Sequence, residues 1–455
     1  MSNRTWNKII IGNPVVPGFL LKHTSRSMKK IPLWLLILGM PGLTVAQSAD
    51  SLISSREVER VERTLSADDM QGRAVGTAGI EKAALFISNE FSQAGLQSLE
   101  PGGNFRQEFT LVRTRQISTE ASLDGHPLES NNVLVFSSAK ELAVQTSSGY
   151  KKILIRKGEN LMAAASLLLR EELDALVLVD TSFSKYFSKL ARLKEPQFKS
   201  GKNIVFVLSA SNPAQYEIKV KQEVKETRLA NIVGVLPGKS RKNEYVIFSA
   251  HYDHLGVEKP EAGTDSIYNG ANDDASGTTA VILLAKYFSR LQNNERSIIF
   301  AAFTAEEIGE YGSAYFSRQL EPSRVVAMFN IEMIGTESRW GSGSAYITGF
   351  EKSDMGAILE KNLAGGPFRF YPDPYPEQGL FYRSDNATLA RLGVPAHTIS
   401  TSKMDSEKYY HTPADEISTL DLGNMTDIVK AIAKSSATIV SGKDTPGRVI
   451  TGYLK

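Results

Sequence analysis

From about residue 229 onward, short apolar runs alternate with stretches of helical periodicity. Residues 230–236, 245–250, 297–303, 325–331 and 396–400 are dominated by Val, Ile, Phe and Ala with little polar interruption, which predicts strands buried on both faces. Apolar residues at helical spacing follow over 277–292, 312–319, 354–363 and 424–440, and an edge hairpin is expected around 345–348. This order predicts an α/β fold, a mostly parallel, doubly wound sheet flanked by helices, with ligands at the carboxyl ends of the strands.

The upstream half has a different texture. Helices are expected over 58–65 and 79–94, the second stopping before Gly95, with a glycine-punctuated loop at 72–77 between them and a strand at 107–112. Short β runs at 132–136, 152–155, 175–179, 204–209 and 216–224 then lie between Gly-, Ser- and Lys-rich turns, with one helical piece near 161–172. Residues 185–202 read as an exposed loop. The domain plan is therefore residues 47–117 as the first part of the main domain, 118–226 as an inserted, smaller β-rich lid or spacer, and 227–455 as the rest of the main domain.

The N-terminus is read as targeting sequence. Met28-Lys29-Lys30 precedes an apolar run over 31–43, and Thr44-Val45-Ala46 places small residues where a signal peptidase cuts. Residues 1–46 are thus expected to be a signal-peptide region with Met28 as the true start, and the mature chain to be exported, periplasmic or secreted. The apolar run is shorter than the roughly 20 residues a membrane-spanning helix needs, so no stable span is expected after cleavage.

Composition narrows the chemistry. The 455 residues are 42% apolar and 22% charged, ordinary for a soluble chain of two domains. There is no cysteine, so a transition-metal site must draw on histidine and carboxylate. Six of the 52 Lys and Arg fall in residues 1–46, which hold no acid, leaving 46 against 50 acidic residues and a net charge of −4. No basic stripe with interleaved aromatics appears, so no nucleic-acid partner is expected.

The polar residues that carry chemistry fall just after strands. His251 and Asp253 follow 245–250, Asp273 and Asp274 lead into the next helix, Glu306 and Glu307 follow Phe303, Glu332 follows Ile331, and His411 lies in the loop after 396–400. Taken singly, residues 272–276 read as a helix cap, Glu306-Glu307 as a solvated first turn and His411 as an ordinary histidine. Glu332 is harder to explain that way, because an acid ending an apolar run is costly to bury without a cation. Together, two histidines and three carboxylates suit two borderline divalent ions with one carboxylate bridging.

These stretches resemble the M28 family of co-catalytic zinc peptidases, related to bacterial leucyl-type aminopeptidases and to glutamate carboxypeptidase. The resemblance is carried by His251-Tyr252-Asp253, residues 270–277, Ala305-Glu306-Glu307-Ile308-Gly309, Asn330-Ile331-Glu332-Met333-Ile334-Gly335, Arg383-Ser384-Asp385 and residues 410–415. It implies one zinc ion on His251, Asp273 and Glu332 and a second on Asp273, Glu307 and His411, with Asp273 bridging. Glu306 would be the general base, taking a proton from a zinc-activated water and passing it to the leaving amine. The implied activity is that of an aminopeptidase acting on peptides with a free N-terminus. The insertion resembles a protease-associated or apical domain by position and texture.

Asp253, two residues beyond His251, is expected to accept the imidazole N–H, and Tyr410 is a candidate oxyanion donor. Phe381, Tyr382 and Tyr409 are candidates to line the side-chain pocket, and His254 and His397 are assigned to structure. Two departures from the family stand out: Glu332 where many members have Asp, and Asn386 where His often follows Ser-Asp. A glutaminyl cyclase-like acyltransferase with one zinc and a non-catalytic binding homologue are the rival readings.

Overall fold

The computed structural model describes residues 52–454 apart from 100–102, 172, 195 and 259–264; the expected signal-peptide region lies outside the described residues. Two helices come first, α1 (Ser55–Leu65) and α2 (Ala78–Gln93), each capped by a hydroxyl that accepts a backbone N–H, from Ser54 and Thr77 respectively. A long strand β1 (Arg106–Leu123) leads into a second sheet made of β2 (Val133–Phe136), β3 (Lys151–Ile155), β4 (Ala175–Val179) and β5 (Ile204–Leu208), with helix α3 (Leu161–Leu168) between β3 and β4. Its order is β2-β5-β4-β3, with β4 parallel to both neighbours. The long strand β6 (Tyr216–Leu236) then returns antiparallel along β1.

The remaining elements alternate. They are β7 (Arg241–His251), α4 (Ser276–Leu291), β8 (Arg296–Phe303), α5 (Tyr311–Arg318), β9 (Val325–Ile331), β10 (Ser344–Ile347), α6 (Met355–Leu363), β11 (Arg369–Pro372), α7 (Asn386–Ala390), β12 (Ala396–Ser400) and α8 (Leu422–Ser435). The main sheet runs β11-β10-β12-β9-β7-β8-β6-β1. Strand β7 is parallel to β8 and β9, and β9 is parallel to β12, so the carboxyl ends of four strands share one edge.

The apolar runs are continuous because both faces of the sheet are covered. Val246, Phe248, Ile298 and Phe300 point into a core shared with α1, α2, α4, α6 and α8, whereas Ile247, Ile299, Ala301 and Phe303 point into one shared with α5 and α7. Among the described residues no helix is long and apolar enough to cross a membrane.

The second sheet has a core on each side. One contains Phe136, Val177 and Phe206 with Leu161 and Ala165 of α3; the other packs Val135, Leu176 and Val205 against Tyr216, Ile218 and Val220 of β6. In β6 these three alternate with the exposed Glu217, Lys219 and Lys221, the period-2 signature of a half-buried strand. The expected boundaries at 118 and 226 fall within β1 and β6, which run through them as one hairpin. Residues 185–202, expected as an exposed loop, instead bury Phe187 and Leu190 and add the short strand Gln197–Phe198 to β1.

Phe248 stacks on Phe288, Phe300 and Phe329 with centroids 4.9 to 5.8 Å apart and is fully buried. Phe248→Ala is therefore expected to cost about 3–5 kcal/mol of unfolding free energy, as read by urea denaturation.

Candidate metal centre

The site is built where the parallel strands end. His251 is the last residue of β7; Glu306 and Glu307 follow β8 by way of Ala305; Glu332 directly follows β9; His411 lies in the loop beyond β12. Asp273 sits just before α4, where the backbone leaves helical values at φ −109°, ψ 100°. All of these side chains are buried or nearly so, His411 being the most open at 35%.

Carboxylates that touch no histidine ring nitrogen closely lock these segments together. Asp274 accepts backbone N–H groups from His251 (3.3 Å), Gly277 (3.0 Å) and Met333 (3.0 Å), joining the ends of β7 and β9 to the start of α4. That approach requires glycine at 277, since a Cβ there would lie 2.2 Å from the Ile331 carbonyl oxygen. Asp253 accepts from Glu306 (3.2 Å) and Glu307 (3.4 Å), and Asp415 from Asn272 (2.8 Å) and Asp273 (3.0 Å). Arg73, fully buried, donates to the carbonyls of Leu65, Tyr252, Asn269 and Gly270 at 2.6 to 2.9 Å, so one cation holds both segments that flank the site.

Five side chains converge as two groups of donor atoms sharing Asp273. His251 Nε2 lies 3.1 Å from Glu332 Oε1 and 3.2 Å from Asp273 Oδ1; His411 Nε2 lies 3.2 Å from both Asp273 Oδ2 and Glu307 Oε2. Donors around one ion at 2.0–2.1 Å in tetrahedral geometry stand about 3.3 Å apart, so both groups have the span of a zinc-sized ion. His411 Nε2, despite these neighbours, makes no hydrogen bond with either, as expected of a nitrogen aimed at the gap between two carboxylates. The donor set of imidazole and carboxylate is what a borderline divalent ion requires, and the residues present fit two.

Glu332 meets the group despite its extra methylene. Its Oε2 accepts from Ser384 Oγ (2.7 Å), which accepts in turn from Asn330 Nδ2 (2.7 Å), leaving Oε1 for the site. Glu306 borders the same gap, with Oε2 4.0 Å from His251 Nε2. Asp274 also comes near His251 and Glu332, but its oxygens are taken by backbone amides. Next to the site lies a cleft walled by Met333, Tyr346, Leu380, Met404 and Tyr410, with Arg383 and the hydroxyls of Ser400 and Ser402 at its sides.

Several expectations need correction. The His251 Nδ1 proton goes to the backbone carbonyl of Asp253 (3.1 Å), not to its carboxylate (3.8 Å), which is spent on the Glu306 and Glu307 amides. His254 is brought to 2.7 Å from Glu307 Oε1; its spacing to His251 in a loop gave no signal of that. None of the three aromatics expected to line the side-chain pocket lines the cleft: Phe381 packs against His397 in the core, Tyr382 packs on Phe381 and Tyr409 is exposed, and the neighbouring Leu380 and Tyr410 line it instead. His397 is held between the Thr348 carbonyl and Ser353 Oγ.

Burial dominates the electrostatics. It pushes Asp385 and Glu62 up to about 8, Glu310 to about 7, and Asp253 and Asp415 to about 6. Burial also raises Glu306 well above the usual carboxylate range; the His251 ring opposes that shift and Glu332 adds to it. The Asp273 and Glu307 carboxylates push His411 up to about 10, and His251 is raised by Glu332 and Asp273 against its burial.

A family model described as peptidase family M28 matches residues 231–436. Aminopeptidase YwaD of Bacillus subtilis (strain 168) is 26% identical over 194 residues, 41% of this chain and 39% of its own length. A protein of Leptosphaeria maculans named as a probable zinc metalloprotease is 31% identical over 113 residues, 24% of this chain and 26% of its own. The matches thus span well under half of these relatives. A solved structure, an aminopeptidase from Aneurinibacillus sp. strain AM-1, superimposes with a TM-score of 0.51 at 18% identity, covering 89% of this chain and 97% of that one, which establishes a shared fold.

Two outcomes follow from this geometry. Arg73→Met strands four buried carbonyls among ionised acids and is expected to cost about 3–5 kcal/mol in denaturant unfolding. In the chelated protein, the raised carboxylates and histidines bind more protons folded than unfolded at neutral pH, so their stability contribution is present at low pH and lost as pH rises. Thermal unfolding of the metal-free protein should therefore weaken from about pH 4 to about pH 10, the carboxylate part being lost by about pH 8 and the His411 part between about pH 6.5 and about pH 10, and zinc should remove the His411 part.

Proposed function

Residues 231–436 are a peptidase family M28 domain, and on that premise we propose that the protein is an exported zinc-dependent aminopeptidase that removes N-terminal residues from peptides. The observation that carries this reading is the pair of donor groups sharing Asp273, with Glu306 beside them and an apolar-walled cleft adjoining. His251, Asp273 and Glu332 would hold one ion, and Asp273, Glu307 and His411 the other. Bound there, the zinc pair supplies Lewis acidity that lowers the pKa of water and polarises the scissile carbonyl.

The chain's own residues do the rest. Glu306, its carboxylate made more basic by burial, takes the proton of the attacking water and delivers it to the leaving amine. Met333, Tyr346 and Leu380 offer an apolar wall to the substrate side chain, and Tyr410, stacked on His411 at 3.8 Å, is placed to donate toward the carbonyl oxygen. Export rests on the charged, apolar and small-residue order of residues 28–46, and residues 118–226 are proposed as an accessory domain carried on the β1–β6 hairpin.

The test is hydrolysis of paired peptides, free and N-acetylated, by protein starting at Gln47, with zinc and after chelation. Zinc-dependent cleavage of the free-amine set alone is expected; cleavage of neither by zinc-loaded protein would overturn the reading. Pyroglutamate formation from N-terminal glutamine peptides with one zinc per chain would point to the cyclase instead. Glu306→Gln should lower kcat by about 10²–10⁴-fold while zinc content stays at two per chain. Because zinc displaces the protons held on His251 and His411, its uptake at pH 7 should release about two protons, read by titration calorimetry in buffers of different ionisation enthalpy.

A further inference from the structure

The two outer glutamates of the centre are held in the same way, and the second holder is His254, a residue assigned only to structure from the sequence. Glu332 offers Oε1 to the site while Oε2 is fixed by the Ser384 hydroxyl at 2.7 Å. Glu307 offers Oε2 toward His411 while Oε1 lies 2.7 Å from His254 Nδ1. A carboxylate is an acceptor only, so His254 Nδ1 carries the proton and donates it.

Resting on the two-ion reading above, we propose that His254 is a positioning residue for the second ion: its Nδ1–H fixes Glu307 with one oxygen bonded back and the other presented to the cation. The distances separate this role from that of a further ligand. His254, Asp273 and Glu307 offer donor atoms close enough to face one ion. But His254 Nδ1 stands at hydrogen-bond distance from Glu307 Oε1, 2.7 Å, and 3.9 Å from Asp273 Oδ2, the pattern of a ring bonded to the glutamate and not of donors about 3.3 Å apart around a shared ion. The short one is a charge-assisted hydrogen bond.

The surroundings of the ring are built to keep it there. The His254 backbone N–H donates to the Arg73 carbonyl (3.3 Å), which ties it to the same buried residue that braces the site. Gly270, at φ +55°, opens the space the imidazole fills: a Cβ there would stand 2.5 Å from His254 Cδ2. The ring meets His411 edge to face at 5.7 Å, and His254 Nε2 is buried without a hydrogen-bond partner among the described residues, so all of its polar contact is directed at Glu307. Glu307 needs such a holder because its side chain is 7% exposed and follows a backbone turn at Ala305 with φ +60°.

The experiment uses the full mature chain, stripped by chelation and titrated with Zn²⁺ by calorimetry and with Co²⁺ by visible absorption, for wild type, His254→Phe and His254→Asn. His254→Phe should weaken the second ion by about 10–100-fold and leave the first within threefold. Asparagine places an N–H two bonds beyond Cβ, as Nδ1 does; its amide nitrogen has no lone pair for a cation, and ligation through its oxygen would change the visible Co²⁺ bands, so rescue with an unchanged Co²⁺ spectrum separates donor from ligand. Recovery of at least half of the lost logarithmic affinity in His254→Asn supports the proposal; smaller recovery, or an unchanged second ion in His254→Phe, overturns it. Equal weakening of both ions in His254→Phe would mark a general packing role and also overturn it. A wild-type chain that takes one ion removes the two-ion reading and this one together, whereas the variant outcomes remove this one alone.

Discussion

The constraint on which the site depends is the burial of carboxylates. Asp253, Asp273, Asp274, Asp385 and Asp415 are all at most 2% exposed, and Glu306, Glu307 and Glu332 lie with them at the ends of four strands. Each buried charge costs several kcal/mol unless something compensates it. The chain uses three kinds of compensation. Backbone N–H groups meet Asp253, Asp274 and Asp415; Arg73 places one cation among them; and the remaining oxygens of Asp273, Glu307 and Glu332 face two imidazoles across gaps of ion size. What reads as a cluster of acids is therefore three populations: one holding loops together, one facing the imidazoles, and Asp385 and Glu306, whose charged form burial disfavours.

That division explains how much of the site was legible in the sequence. The strands were, because residues such as 245–250 and 297–303 are buried on both faces and tolerate only apolar side chains. The open donors were legible too, since His251, Glu307 and Glu332 each stand at or just past a strand end, where periodicity breaks. The bracing acids were harder, because Asp253 and Asp274 have the same composition and nearly the same spacing as the donors, and only the three-dimensional position of the amides tells them apart. Alternation along an extended chain put the Asp253 carboxylate beside the His251 ring, but the chain stops being extended at 251, and the carboxylate turns to Glu306 and Glu307. His254 was illegible for the same reason: its partner lies 53 residues away across a loop whose shape no local pattern encodes.

The same bracing accounts for the strained backbone that surrounds the donors. Ala305, Met333 and His411 all have positive φ, at 60°, 51° and 56°, in a region where L-residues lose about 1–2 kcal/mol each. These three residues precede Glu306, follow Glu332 and supply an imidazole, so the departures sit on the chain segments that carry the donors. They persist because neighbouring bonds over-determine them: Asp253 takes the amides just after Ala305, Asp274 takes the amide of Met333, and Tyr410 stacks on His411. The inserted segment contributes from outside, with Phe198 packed on Tyr311 and Tyr315, and Phe109 and Tyr315 stacked at 4.9 Å beneath Ala305. Donors fixed by so many protein–protein bonds need little further ordering to meet a cation. Rigidity at Asp273 matters most in this respect, because its Oδ1 faces His251 and its Oδ2 faces His411, each at 3.2 Å, and the two Asp415 hydrogen bonds from the Asn272 and Asp273 amides fix the backbone from which they project.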